Sequence, residues 1–261
     1  MINFINNQKN TFLAITAMVV GVIFIDIHGL IVKYLGGEYS TIQLALFRNT
    51  FAIIPLILLL IYNKESSDLF KNLSKKFILF CFVRGSCFLA INILYYIAIN
   101  NMEFATASTL TFSSTFFIVI LSIFFLGDKV GIYRWSAVII GFIGVVMIMR
   151  PNSSIFSYYS ILPILVAFLW AVQVIVLKFI PDNFSTGKIQ FYSLFSSFLG
   201  SLVFIFFTTG HTYIETQSDF FILSLIGIFG GTAAILFIYS YRLIAASKIA
   251  VFEYLAIPSS F

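Results

Sequence analysis

Eight stretches of roughly 20 residues, nearly all apolar, follow one another along this chain with only short polar connections between them. A helix needs about that length to cross roughly 30 Å of hydrocarbon, and lipid offers no partner to a backbone group left unpaired. Only helices and closed barrels meet that condition. Barrel strands alternate with period two, and these stretches do not. The predicted spans are Thr11 to Leu35, Thr41 to Tyr62, Phe77 to Ile99, Phe104 to Leu126, Ile132 to Met149, Tyr158 to Ile180, Gly187 to Thr209 and Phe220 to Ile244. A ninth begins near Lys248 and reaches Phe261 after about 14 residues, short of a full crossing.

Composition agrees. Hydrophobic residues make up 61% of the chain and charged residues 10%, with a mean hydropathy of +1.05. A soluble domain carries about a quarter charged residues to cover its surface, so the expected solvent is lipid. The net charge of +5 forms no continuous basic patch, and nucleic acid is not an expected partner. Cys81 and Cys87 lie in one apolar stretch without metal-ligand or disulfide-scaffold spacing, which points to packing. Thr11 to Leu35 is too long for a secretory signal and reads as a retained span. The longest connection, Asn63 to Lys76, is too short for a soluble domain, so function must sit within the bilayer.

Basic residues set orientation. With the N-terminus cytoplasmic, the inner side holds Lys9, Lys64, Lys71, Lys75, Lys76, Lys129, Arg134, Lys178, Lys188, Arg242 and Lys248. The outer side holds Lys33, Arg48 and Arg150, while Arg84 lies inside a span.

The chain also repeats. An offset of 145 residues aligns Lys33 with Lys178, Ser40-Thr41 with Ser185-Thr186, Gly85 with Gly230, Tyr96 with Tyr241, Ala105 with Ala250, Leu110 with Leu255, Ser114 with Ser259 and Phe116 with Phe261. The unit has five spans, an odd number, so the second copy enters from the opposite side of the bilayer. Inverted repeats of this kind support alternating access, because exchanging the tilts of the two halves opens a central site to the other face. The expected fold is therefore an all-α integral membrane protein, an inverted-repeat helical bundle of 5+5 pattern with eight full spans and a partial ninth. Residues 1–150 form the first unit and 151–261 the second. By the repeat length the second unit would close near position 295, about 34 residues past Phe261, which reads as a truncation.

Ionisable groups inside spans cost roughly 2.5–3.5 kcal/mol at mid-membrane, so each needs a partner, a wet cavity or an interface. Asp26, Arg84 and Glu253 are the deepest. Asp26 faces the bundle, whereas Lys33, two turns later on the same face, reads as reaching the interface. His28 aligns with Gln173, and either side chain could bond substrate or a neighbouring helix. Arg84 could meet an anionic group of the substrate, Asp26 or Glu253. Glu253 stands between an interfacial reading beside Lys248 and a cavity reading opposite the Ser108, Thr111 and Thr115 stripe, to which Asn92 adds an amide. Gly227-x-x-x-Gly231 is a small-residue packing pattern. Tyr95, Tyr96, Trp135, Tyr158, Tyr159 and Trp170 read mainly as anchors or filling. The sequence shows no nucleophile–base set, metal cluster or phosphate loop, and His211 lies in a loop, so neither enzymatic activity nor a cofactor or metal is expected.

Four segments carry a resemblance: DIHGLIVKYLG at Asp26 to Gly36, QLALFRNTF at Gln43 to Phe51, the Gly127-Asp128-Lys129 turn, and AASKIAVFEYLAIP at Ala245 to Pro258. On these the chain resembles the EamA-type members of the drug/metabolite transporter superfamily. Its first-span Lys and second-span Phe-Arg are most similar to S-adenosylmethionine uptake transporters of obligate intracellular bacteria. The resemblance implies a ten-span carrier in a bacterial inner membrane. It also implies a small-metabolite substrate and the lining residues Asp26, Arg84, Asn92, Gln173 and Glu253, to which the repeat alignment adds His28 as a candidate substrate contact. The alternative is a non-transporting scaffold or an inactive remnant. Homo-oligomer formation stays open.

Overall fold

The computed structural model describes residues 2–149, 158–207, 212–214 and 216–253. Arg150, His211, Leu255, Pro258, Ser259 and Phe261 lie outside the described residues. The side chain of Arg134 also does.

All regular elements among the described residues are helical. They are α1 (Ile2–Leu35), α2 (Thr41–Phe51), α3 (Ile53–Tyr62), α4 (Lys75–Asn101), α5 (Phe104–Thr111), α6 (Ser114–Leu126), α7 (Ile132–Met149), α8 (Ile161–Lys178), α9 (Thr186–Phe207), α10 (Gln217–Leu243) and α11 (Ala246–Ile249). Seven spans among the described residues are long and apolar enough to cross a membrane: Gln8–Leu35, Thr41–Tyr62, Lys75–Asn101, Phe104–Leu126, Tyr158–Lys178, Thr186–Phe207 and Gln217–Leu243. The expected fifth span is α7, a helix of 18 residues. The start of the expected ninth is α11, which tightens into a 3₁₀ turn ending at Glu253.

Helix ends follow the local chemistry. Ser40, Ser74 and Thr216 accept the backbone N–H three residues on, at 3.3, 3.1 and 3.2 Å, and start α2, α4 and α10. Gly127 closes α6 with φ +67°, a left-handed conformation that glycine adopts without penalty.

Two spans predicted as single helices are bent. The second breaks at Ala52, between α2 and α3. Pro55 has no N–H to give the carbonyl four residues back, and its ring crowds that turn. The fourth breaks after Thr111. There Thr111 and Ser113 donate their hydroxyls to the carbonyls of Ser108 and Leu110, at 2.6 and 2.7 Å, and such back-bonding bends helices.

Packing brings distant parts of the chain together. α1 lies along α10, α4 along α8 and α9, and α2 and α3 lie against α10 and α9. Gly227 and Gly231 face the bend in the second span. A Cβ on Gly227 would stand 2.4 Å from the Phe51 Cβ, and one on Gly231 would stand 2.8 Å from the Ala52 Cα. Small residues here let two backbones nearly touch, as the pattern suggested. Outward faces carry exposed Phe12, Leu58, Ile61, Phe124 and Phe206, while Asp26, His28, Arg48, Arg84 and Gln173 are buried. A bundle with apolar side chains outside and polar ones inside is built for lipid.

The ends of the bundle are distinct. At one end Lys33 donates to the carbonyls of Ile99 and Met102, and Asn100 to that of Gly36. At the other, Lys178 donates to the carbonyl of Ile244 at 2.6 Å, and Lys188 to those of Asp68 and Lys71. Lys33 is therefore tied to the C-terminal turn of α4, where a cation also meets the negative end of the helix dipole.

Candidate functional site

Among the described residues, helices α1, α4, α8 and α10, with contributions from α2, α5, α6 and α9, wall a cavity. Asp26, His28, Arg84, Asn92, Gln173 and Glu253 all line it. Six side chains drawn from well-separated parts of the sequence thus share one interior space.

In its wall, His28 Nε2 and the Tyr96 hydroxyl are 2.9 Å apart. Beside them the Arg48 guanidinium donates to the Gly230 carbonyl at 3.0 Å and to Asn49 Oδ1 at 3.3 Å. Its Cζ lies 3.8 Å from the centre of the Phe88 ring, close enough for a cation–π contact. This arrangement needs Gly230, because a Cβ there would come 2.9 Å from His28 Nδ1 and 3.1 Å from Arg48 Nε.

One turn of α4 from Phe88, Arg84 donates to the backbone carbonyl of Gln173 at 3.1 Å and to its Oε1 at 3.4 Å, and Gln173 Nε2 returns a bond to the Arg84 carbonyl at 3.4 Å. The predicted partners Asp26 and Glu253 are not the ones Arg84 holds here. Glu253 is occupied elsewhere: Trp170 Nε1 donates to it at 2.9 Å, Ser114 Oγ at 3.0 Å, and the Tyr241 hydroxyl also donates. The interfacial reading of Glu253 is therefore corrected, since the turn after α11 folds its carboxylate inward to three donors.

The Ser108 stripe divides. Ser108 shares a hydrogen bond of 2.9 Å with Tyr95, and both line the cavity together with Thr111. Thr115 instead donates to the Ala250 carbonyl at 3.1 Å in a helix contact. Asp26 lines the cavity and is nearly buried. Cys81 is a buried free thiol and Cys87 is half-buried.

Sequence reasoning misplaced one residue of consequence. Arg48 was assigned to an outer flank, yet its side chain is 0% exposed and lies in the cavity wall. It stands seven residues into α2, a depth comparable to that of Arg84 in its span, and that depth was the available signal. Tyr96, Trp170 and Tyr241 also belong to the wall; the first two had been read mainly as anchors or filling.

Comparison with known proteins agrees with this architecture. Over 228 residues the chain is 24% identical to the S-adenosylmethionine uptake transporter of Rickettsia bellii, covering 87% of this chain and 76% of that one. It is 38% identical over 66 residues to a riboflavin transporter of Rhizobium johnstonii, 25% of this chain and 22% of that one. It is 26% identical over 165 residues to a pseudopaline exporter of Pseudomonas aeruginosa, 63% of this chain and 56% of that one. A solved crystal structure superposes with a TM-score of 0.71 at 16% identity, covering 97% of this chain and 86% of that one, and shows the same fold. The sequence pattern of the EamA-like transporter family fits residues 12–150. That match spans more than half of a chain whose helices wall a buried polar cavity, and this multi-pass membrane protein belongs to the EamA-like transporter family.

Proposed function

We propose that the chain is a secondary carrier of the bacterial inner membrane, with its N-terminus cytoplasmic, that moves a small metabolite by alternating access. S-adenosylmethionine is the leading substrate. The observation that carries this reading is the cavity walled by helices from both halves of the chain, which the buried side chains of Asp26, His28, Arg84, Asn92, Gln173 and Glu253 all line. Relatives named as transporters of S-adenosylmethionine, riboflavin and pseudopaline support a metabolite of that size. Phe88, Phe112 and Trp170 in the wall can stack on a planar base or face a sulfonium cation.

Alternating access follows from the proposed organisation as two inverted copies of one five-span pattern, residues 1–150 and 151–261, the second holding three spans and the start of a fourth. Two pairs of contacts support that organisation. Lys33 bonds the Ile99 carbonyl and Lys178 the Ile244 carbonyl, donors and acceptors both displaced by 145 residues. Gly85 abuts Ser193 and Gly230 abuts Arg48, again at that offset with the halves exchanged. The basic residues near Lys64 to Lys76 and Lys178 to Lys188, gathered at one end of the bundle, support the orientation.

The test is uptake of labelled S-adenosylmethionine by proteoliposomes holding the purified chain, preloaded with unlabelled substrate. Saturable exchange above that of protein-free vesicles is expected. Background flux for S-adenosylmethionine, riboflavin and pseudopaline alike, from folded protein, would overturn the reading.

A further inference from the structure

The cavity wall holds four buried nitrogen atoms, beside the Ser193 hydroxyl, with no hydrogen-bond partner among the described residues: His28 Nδ1, Arg48 Nε, Arg84 Nε and Asn92 Nδ2. An arginine Nε and an amide Nδ2 can only donate. Histidine Nδ1 donates or accepts according to its tautomer. The unmet demand of this wall is therefore for acceptors.

The fixed donors lie along one strip of the wall. Arg84, Phe88 and Asn92 stand at i, i+4 and i+8 on α4 and share one face of that helix. The Arg48 guanidinium lies over the middle of this strip, on the Phe88 ring at 3.8 Å. The described hydrogen bonds of both guanidiniums go to neutral oxygens of Gln173, Asn49 and Gly230. The Glu253 carboxylate is already held by Trp170, Tyr241 and Ser114. A buried guanidinium gains most from a hydrogen-bonded anion, because desolvation has removed the water that would otherwise stabilise it.

We propose that this strip is an oxyanion subsite, at which the solute presents a carboxylate to Arg84, Arg48 and Asn92. The inference depends on the carrier reading and narrows the substrate to carboxylate-bearing metabolites. A carboxylate, rather than a phosphate dianion, suits the site because Asp26 and Glu253 line the same cavity, and each added negative charge on the solute meets both. It also assigns a role to Arg48, which the sequence had placed outside.

The experiment is equilibrium binding to the full chain in nanodiscs, using two matched pairs: S-adenosylmethionine with its decarboxylated form, and methionine with methioninamide. The carboxylate member of at least one pair should bind about tenfold or more tightly, the ratio that one well-formed interaction supplies. Arg84→Gln should bring the carboxylate member down to its partner's affinity and leave that partner unchanged. Arg84 also ties α4 to α8, so Asn92→Leu provides a second variant. The Asn92 amide nitrogen has no acceptor among the described residues, and its removal should lower carboxylate affinity several-fold while the melting temperature holds. Equal affinities within both pairs, no binding by any of the four probes, equal losses for both members in the variants, or tighter binding of inorganic phosphate than of acetate would overturn the subsite. Selective binding without flux in proteoliposomes would instead overturn the carrier reading and leave the subsite standing. Equal flux of S-adenosylmethionine and its decarboxylated form would do the reverse.

Discussion

In the proposed two-unit organisation, positions 145 residues apart carry like contacts at the helix ends and different chemistry in the cavity wall. Near the ends of the cavity, Lys33 and Lys178 each fasten the last turn of a long helix through the same kind of bond. Inside, the first half contributes Asp26, His28, Arg48 and Arg84 to the wall. At the 145-residue offset the second half carries Ala171, Gln173, Ser193 and Phe229 instead, and brings its own charge at Glu253, opposite Ser108. Charge has diverged at the cavity while the helix-end fastenings have stayed alike. A bundle that must tilt as two equivalent bodies needs the fastenings to match. A site that must recognise one solute in one orientation needs its walls to differ.

The comparison breaks most completely on topology. Single cysteines at positions 33 and 178 should be labelled by a membrane-impermeant reagent from opposite faces of sealed vesicles, an all-or-none outcome. Labelling of both from one face would end the inverted arrangement.

Packing gives the next largest effect. Gly85→Ala would put a Cβ 2.3 Å from the Ser193 carbonyl oxygen, a backbone atom that cannot turn aside. Overpacking of that kind costs about 1–3 kcal/mol, which thermal unfolding in detergent will register. Gly230→Ala meets only the side chains of His28 and Arg48, and should cost less than half as much. Equal losses would show that the two contacts are held equally hard.

Arg48→Met against Ser193→Ala measures the chemical divergence. The arginine fills the wall between Gly230 and Phe88, and its replacement removes one hydrogen bond to the Gly230 carbonyl, which keeps its partner within α10. The expected loss is about 0.5–1.5 kcal/mol, the net worth of such a bond. Ser193→Ala should stay within about 0.5 kcal/mol. A larger loss for the serine would reverse the assignment of the first half as the charge-bearing one.

An effect no larger is expected at the fastenings. Lys33→Met and Lys178→Met should each cost about 0.5–1.5 kcal/mol, the net worth of such a hydrogen bond. Amide exchange should rise in the last turn of α4 for the first variant and of α10 for the second. A change at only one end would sharpen the comparison by showing unequal halves.

The sequence carried the spans because lipid imposes one rule on every crossing segment, and length with apolarity satisfies it visibly. It also carried the six cavity residues, because a polar side chain deep in such a segment is conspicuous. The bends were less visible. Pro55 was in plain view, but whether a proline ends a helix or kinks it depends on what fills the gap, and here α10 does. Thr111 and Ser113 bend the fourth span only through which carbonyls their hydroxyls choose. Arg48 was lost to a counting rule that treats a basic residue near a helix start as a flank. Its burial follows from Gly230 and Phe88, which lie far away in sequence. The Arg84–Gln173 bond was likewise unreadable, because two other acceptors were equally plausible until the helices crossed.

The place where Gly227 and Gly231 nest against Ala52 governs more than local fit. On the glycine side no side chain separates the two helices, so the gap is already at its shortest, and a single methyl would pry them apart like a wedge under a door. Both helices also wall the cavity. The width of the chamber is therefore fixed in part from behind, by residues that never meet what the chamber holds, and selection for a different solute can act there without touching the lining at all.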